Sequence, residues 1–226
     1  MDILNVLQQE FNIKQWQAEA AIKLIDEGNT IPFIARYRKE ATGSMNDEVL
    51  RNFHERLLYL RNLEEKKQQV IATIEAQGKL TEELRGQILA AKTLVTVEDL
   101  YRPYRPKRRT RATIAKERGL EPLANTILLQ MTNQPLEAEA AAYISEEKGV
   151  PDADSAIDGA KDIIAESISD EADYRTYIRK LTFKEGKLIS KAKDEKAQTV
   201  YEMYYNYEEP VAKMAGYRTL AVNRGE

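Results

Sequence analysis

The segment from Asn46 to Gly78 constrains this chain more than any other. Val49, Phe53, Leu57, Leu60, Leu63, Val70 and Ile74 recur at mostly three- or four-residue steps, the spacing of one helical face. Asn46 fits an N-cap, Asp47 and Glu48 suit the positive end of a helix, and Gly78 fits a stop. About 30 residues at 1.5 Å each make a rod of roughly 45 Å. That exceeds a compact small domain, so the expected fold is all-α: an elongated multi-helix array with one long spine helix.

The rest of the pattern is also helical. Lys14–Glu27 carries apolar residues at Trp16, Ala20 and Leu24 and ends at Gly28. "NTIPFIARYRKE" restarts with Thr30 as N-cap and Pro32 in the first turn, and is expected to run to Gly43. Thr81 starts "TEELRGQILAA", Thr96 starts "TVEDLY", and Thr110 starts a helix that Gly119 stops. "EPLANTILLQM" and "PLEAEAAAYIS" are expected as short helices. From Asp152 two more follow, the first with Ile157, Ile164 and Ile168 on one face. Asp154, Asp158, Asp162, Glu166 and Asp170 step by four residues, which predicts a solvated acidic face. A calcium loop starting at Asp152 would put Ile157 and Ile163 where glycine and glutamate are needed. One short strand is expected, at Lys187–Lys191.

Composition excludes several chemistries. The 226 residues include no cysteine and one histidine. Disulfides, thiolate metal sites and histidine clusters are therefore ruled out. Any catalytic histidine would have to be His54, which sits beside the core position Phe53 and reads as structural. No glycine-rich phosphate loop is present, since "GNT" and "GYRT" lack the further glycines and the lysine. The chain is expected to be non-enzymatic and to carry no cofactor or metal. "MDILNVLQQEFN" has neither basic nor apolar signal regions, and no apolar run approaches a membrane span. A cytoplasmic protein without membrane contact is expected.

Charge is strongly uneven. The net charge is -3, yet Tyr101 to Arg118 holds eight basic residues against Glu117 alone. Local fields of this kind steer polyanions. Pro103 and Pro106 predict extended backbone at Arg102 and Arg105. Arg102, Arg105, Lys107, Arg108, Arg109 and Arg111 are candidate phosphate contacts, with Tyr101 and Tyr104 placed to add stacking. The same arginines suit bidentate pairing with the acidic Asp154–Asp170 stripe, or with another domain; a plain solvated loop is the third reading. Arg36, Arg38 and Lys39 form a smaller candidate patch, with Arg36 and Lys39 one helical turn apart. The tyrosines of Tyr201–Tyr207 suggest an interdomain seam, with base stacking as the alternative.

Five stretches together resemble the Tex family of bacterial transcription accessory proteins: "IPFIARYRKEATGSMND", "VEDLYRPYRPKRRTRATIAKERGLEPLA", "AIDGAKDIIAE", "YEMYYNYEEPV" and "YRTLAVNRGE". They occur in the family's order across almost the whole chain. One departure is Tyr217, where the family usually has a histidine before the arginine of its last motif. The resemblance implies a helical region with a helix-turn-helix-like element, part of an elongated nucleic-acid-binding scaffold related to a eukaryotic elongation factor. It also implies that residues 1–226 end before a ribonuclease-H-like domain, helix-hairpin-helix elements and an S1 module, to which the strongest RNA binding is assigned. Sub-parts are expected at residues 1–45, 46–130 and 131–226. The implied partners are RNA or DNA without sequence preference, the transcription machinery, and the C-terminal domains themselves. The alternative is a protein-interaction scaffold with no nucleic acid affinity.

Overall fold

One helix, α4 (Asp47–Ala76), organises the first half of the chain. Asn46 Oδ1 accepts from the Val49 amide at 2.8 Å, and Asp47 and Glu48 fill the first turn. In this computed structural model, which describes residues 2–106 and 108–224, the fold is all-α. Twelve helices and one two-stranded antiparallel sheet occur among the described residues. They divide into two units, Met1–Tyr104 and Arg105–Glu226.

In the first unit, α1 (Ile3–Phe11), α2 (Gln15–Asp26) and α3 (Ile31–Tyr37) cover the N-terminal half of α4. Leu7, Ile34, Leu50, Phe53, Leu57 and Leu60 are buried there, and the Phe11 and Phe53 rings meet edge-on at 5.4 Å. Burying such side chains contributes about 1.5–3 kcal/mol each. The C-terminal half of α4 packs on α5 (Glu82–Ala90) and α6 (Leu94–Tyr101), where Leu63, Val70, Ile74, Ile88 and Val97 are buried. Tyr59 touches both cores, and its hydroxyl accepts from the Leu94 amide at 3.1 Å. Lys67 lies fully buried on the same stripe. Its ammonium donates to Glu64 Oε1 at 2.8 Å and to the Leu89 carbonyl at 2.9 Å, which satisfies the buried charge.

Arg56 grips Glu10 with two bonds of 2.7 Å, and Arg61 grips Asp26 at 2.6 and 2.8 Å, tying α1 and α2 to α4. Hydrogen bonds from these guanidiniums hold both carboxyls below their usual range.

The second unit centres on α10 (Ala153–Asp170), which packs on α7 (Arg111–Glu117), α8 (Glu121–Leu129) and α9 (Leu136–Ala141). Ala112, Ala115, Leu120, Leu123, Ala156, Ile157, Ala160 and Ile163 are buried between them. Small residues let α7 and α10 approach closely. A Cβ added at Gly159 would lie 2.3 Å from Leu120 Cδ1 and 3.3 Å from Ala115 Cβ. Further along come α11 (Ala172–Glu185), β1 (Lys187–Lys191), β2 (Asn206–Pro210) and α12 (Gly216–Arg224). None of these four elements buries a side chain among the described residues.

Five local expectations are corrected. The helix beginning at Ile31 stops at Tyr37, not Gly43. Arg38 leaves helical geometry, and the buried Thr42 hydroxyl donates to the Arg38 or Lys39 carbonyl while Gln17 of α2 bonds the Thr42 carbonyl at 3.2 Å. Arg36 and Lys39 are therefore not a turn apart on one helix. Second, α6 is capped by Thr93 rather than Thr96, which donates its amide to the Thr93 hydroxyl. Third, Arg102 is helical, with φ -52° and ψ -42°. Its N–H bonds the Glu98 carbonyl and a 3₁₀ turn continues to Tyr104, so local bonding outweighs the pre-proline preference. Fourth, Ile168 is half exposed: the buried face of α10 is formed by Ala156, Ile157, Ala160 and Ile163. The acidic stripe follows the same turn: Asp154 and Asp158 are exposed, Asp162 and Glu166 half-buried, and Asp170 buried. Fifth, the expected strand has a partner, "NYEEP", in antiparallel register from Lys187–Pro210 to Lys191–Asn206.

Candidate nucleic-acid interface

The basic segment runs from the 3₁₀ turn after α6 to the first residue of α7. Arg102 belongs to the first unit, and Arg105, Arg108, Arg109 and Arg111 to the second. All five are exposed. Lys107 lies outside the described residues. Thr110 anchors the end of the segment: its hydroxyl caps the Thr113 amide at 3.1 Å and donates to Glu166 Oε1 at 3.0 Å.

The arginines differ in their partners. Arg109 Nη2 lies 2.8 Å from Glu117 Oε2, and Arg111 Nε lies 3.5 Å from Asp162 Oδ1. Both pairs are solvent-facing, with the Arg111 side chain 86% exposed, so each contributes about 0.2–1 kcal/mol or less. Such weak pairs exchange readily for a phosphate. Arg105 and Arg108 have no ion-pair or hydrogen-bond partner among the described residues. Tyr101 and Tyr104 pack partly into the first unit's second core rather than standing free.

In the smaller patch, Arg36 sits in the last turn of α3, Arg38 at its C-cap and Lys39 in the following turn. The three are exposed and have no acidic partner among the described residues. The Arg38 guanidinium lies 5.4 Å from the centre of the Phe33 ring.

The most developed polar cluster was not singled out by sequence. Arg218 of α12 holds Glu209 of β2 through Nε at 2.9 Å and Nη2 at 2.6 Å. The Tyr207 hydroxyl donates to the same carboxylate, and Arg218 Nη1 donates to the Tyr217 hydroxyl at 2.9 Å. Tyr217, the family departure, thus supports the motif arginine. Beside this cluster a cleft of about 690 Å³ opens between β1, the loop after it and α12, lined by Ile189, Tyr201, Tyr204, Tyr205 and Val222.

Arg218 first, and then the Tyr207 hydroxyl, hold the Glu209 carboxyl below the usual carboxylate range. A depressed folded-state value gives stability that is complete above the unfolded value, about 4.3 for glutamate, and lost as pH falls through the lower folded value. Acidification below about pH 4 is therefore expected to loosen α12 from β2. Amide exchange of α12 followed against pH checks this, and the Glu209→Gln variant should lack the transition.

Comparison with known proteins agrees along the chain. Residues 1–75 match the Tex-like protein N-terminal domain, and residues 131–226 match the Tex central region-like model. The basic segment falls between the two matches. The chain is 50% identical over 223 residues to "Uncharacterized protein YdcI" of Bacillus subtilis (strain 168), covering 97% of this chain and 31% of that protein. It is 45% identical over 228 residues to "Transcriptional accessory protein Tex" of Neisseria gonorrhoeae, covering 100% of this chain and 30% of the relative. To "S1 RNA-binding domain-containing protein 1" of Homo sapiens it is 31% identical over 235 residues, which is 23% of that protein's length. The chain thus spans about three tenths or less of these relatives. No helix among the described residues is long and apolar enough to cross a membrane. With an N-terminal domain and a central region matched in order along one chain, this protein belongs to the Tex-like family.

Proposed function

We propose that this chain is a non-catalytic, nucleic-acid-binding scaffold region of a transcription accessory factor. On this reading it contacts the phosphate backbone of RNA or DNA through Arg105–Arg111 without sequence preference. The observation that carries the reading is the exposure of Arg105 and Arg108 without an acidic partner among the described residues, in a chain of net charge -3. Unneutralised arginines in an acidic protein attract a polyanion. The relatives' names, transcriptional accessory protein and S1 RNA-binding domain-containing protein, support the same direction. The α2–turn–α3 element suits the helix-turn-helix-like part that the family implies.

Binding measured at two salt concentrations tests this reading. If three to five charges engage, log affinity against log salt falls with a slope of about -3 to -4.5 on duplex DNA and less steeply on single strands. The oligonucleotide should be recovered intact with magnesium present. A slope near zero, or cleavage that depends on particular carboxylates, would sink the reading.

A second reading is favoured by one observation. Ile178, Ile189, Val200, Met203 and Leu220 are all more than half exposed in the last third of the chain. This supports a protein-docking scaffold, in which the cleft beside α12 receives another domain and the arginines serve packing alone.

A further inference from the structure

We propose that α3 and the turn after it form a second, separate contact that stacks on unpaired bases of single-stranded nucleic acid. Phe33 and Tyr37 stand four residues apart, so they share one side of α3. Their ring centroids lie 5.3 Å apart at 46°. Tyr37 is 62% exposed and Phe33 36%. The flank of the helix next to the rings is fixed, because Ile34 is fully buried in the first core. The rings are therefore presented outward on a helix that is held in place.

Cations frame the rings. Arg38 folds back over Phe33, and Arg36, three residues from Phe33, falls on the same exposed side. Lys39 follows in the turn. Against these three charges the local sequence sets one carboxylate, Glu40. An isolated exposed aromatic needs no explanation. Two adjoining rings interleaved with three cations lacking acidic partners among the described residues are a different object. Single-strand binders use this combination, with ring faces for bases and charges for the backbone. A duplex keeps its bases stacked on one another and offers the rings nothing, so the surface selects unpaired strands.

The turn is preorganised. Buried Thr42 closes it, Gln17 of α2 bonds the Thr42 carbonyl, and Gly43 at φ +63° lies tight against Gln17 and Trp16. Little ordering remains to be done on binding.

This inference rests on the reading that the chain binds nucleic acid, but it uses residues outside the Arg105–Arg111 segment. The test compares three labelled probes on the 226-residue chain: a short oligouridylate, an abasic strand of equal length, and duplex DNA. Phe33→Ala/Tyr37→Ala should weaken oligouridylate binding roughly tenfold or more and leave the other two probes within about twofold. Phe33→Leu/Tyr37→Leu keeps apolar bulk without aromatic faces and should show the same selective loss, which guards against misfolding of the alanine variant. Arg108→Glu/Arg109→Glu should weaken all three probes alike. Unchanged oligouridylate binding in the leucine variant overturns the stacking surface while leaving the phosphate reading intact. Equal losses on all three probes overturn it as well. Failure of the wild-type chain to bind any probe overturns both.

Discussion

Charge reversal at Arg108 and Arg109 is expected to weaken binding to every nucleic acid about a hundredfold at low salt, about 2.7 kcal/mol. The slope of log affinity against log salt on duplex DNA should flatten by about 2, because two phosphate contacts are lost. All sequences should suffer alike, since backbone contacts carry no sequence information. Stability should hardly move. Arg108 has no partner to lose among the described residues, and the Arg109–Glu117 pair is more than half exposed on both sides. Such a pair is worth at most about 1 kcal/mol. Pairing as the segment's main role predicts the opposite: unchanged or absent binding with a lowered melting temperature. Titration and thermal melting of one sample of Arg108→Glu/Arg109→Glu decide between them.

Valine at position 159 is expected to cost the second unit about 2–3 kcal/mol and to lower its melting temperature by roughly 10 °C. Glycine inside a helix is normally a liability of about 1 kcal/mol against alanine. Here it permits the close approach of α10 to Leu120 and to Ala115 of α7. Both neighbours are buried, so neither has room to retreat. Gly86 of α5 is the control. A Cβ there meets nothing within 4 Å, so Gly86→Ala should stabilise the first unit by about 0.5–1 kcal/mol. Melting curves of the two variants should move in opposite directions. A neutral Gly159→Val would mean that the α7–α10 contact is loose.

The elements legible in the sequence are those whose signals are local. The stripe of α4, its Asn46 cap and the caps at Thr81 and Thr110 depend on residues within one or two turns, and the structure has them. The positions misread or left unread depend on distant partners or on small residues. Lys67 fills the gap between Leu63 and Val70 in the α4 stripe. No local signal places a lysine there: Glu64 and the Leu89 carbonyl, 22 residues away, let its charge be buried. The α10 face was read from Ile157, Ile164 and Ile168; Ile157 is buried and Ile164 packs on the core, but Ala156 and Ala160, where α7 comes close, take the place expected of Ile168. β2 carries two glutamates and a proline, poor strand formers, and pairs only because β1 offers it an edge. At the candidate interface the concentration of charge was plain. Which arginines are paired was not, since Asp162 lies 51 positions from Arg111.

The spine helix serves two cores, and this locks their angular phase. Removing one residue between Leu60 and Leu63 would rotate everything beyond it by about 100° and shift it by about 1.5 Å. Leu63, Val70 and Ile74 would then turn away from α5 and α6 while Leu50 and Phe53 kept their places. An insertion of seven residues restores the phase to within about 20°. The length of α4 is therefore a stepped variable: whole pairs of turns can be added or lost, and single residues cannot.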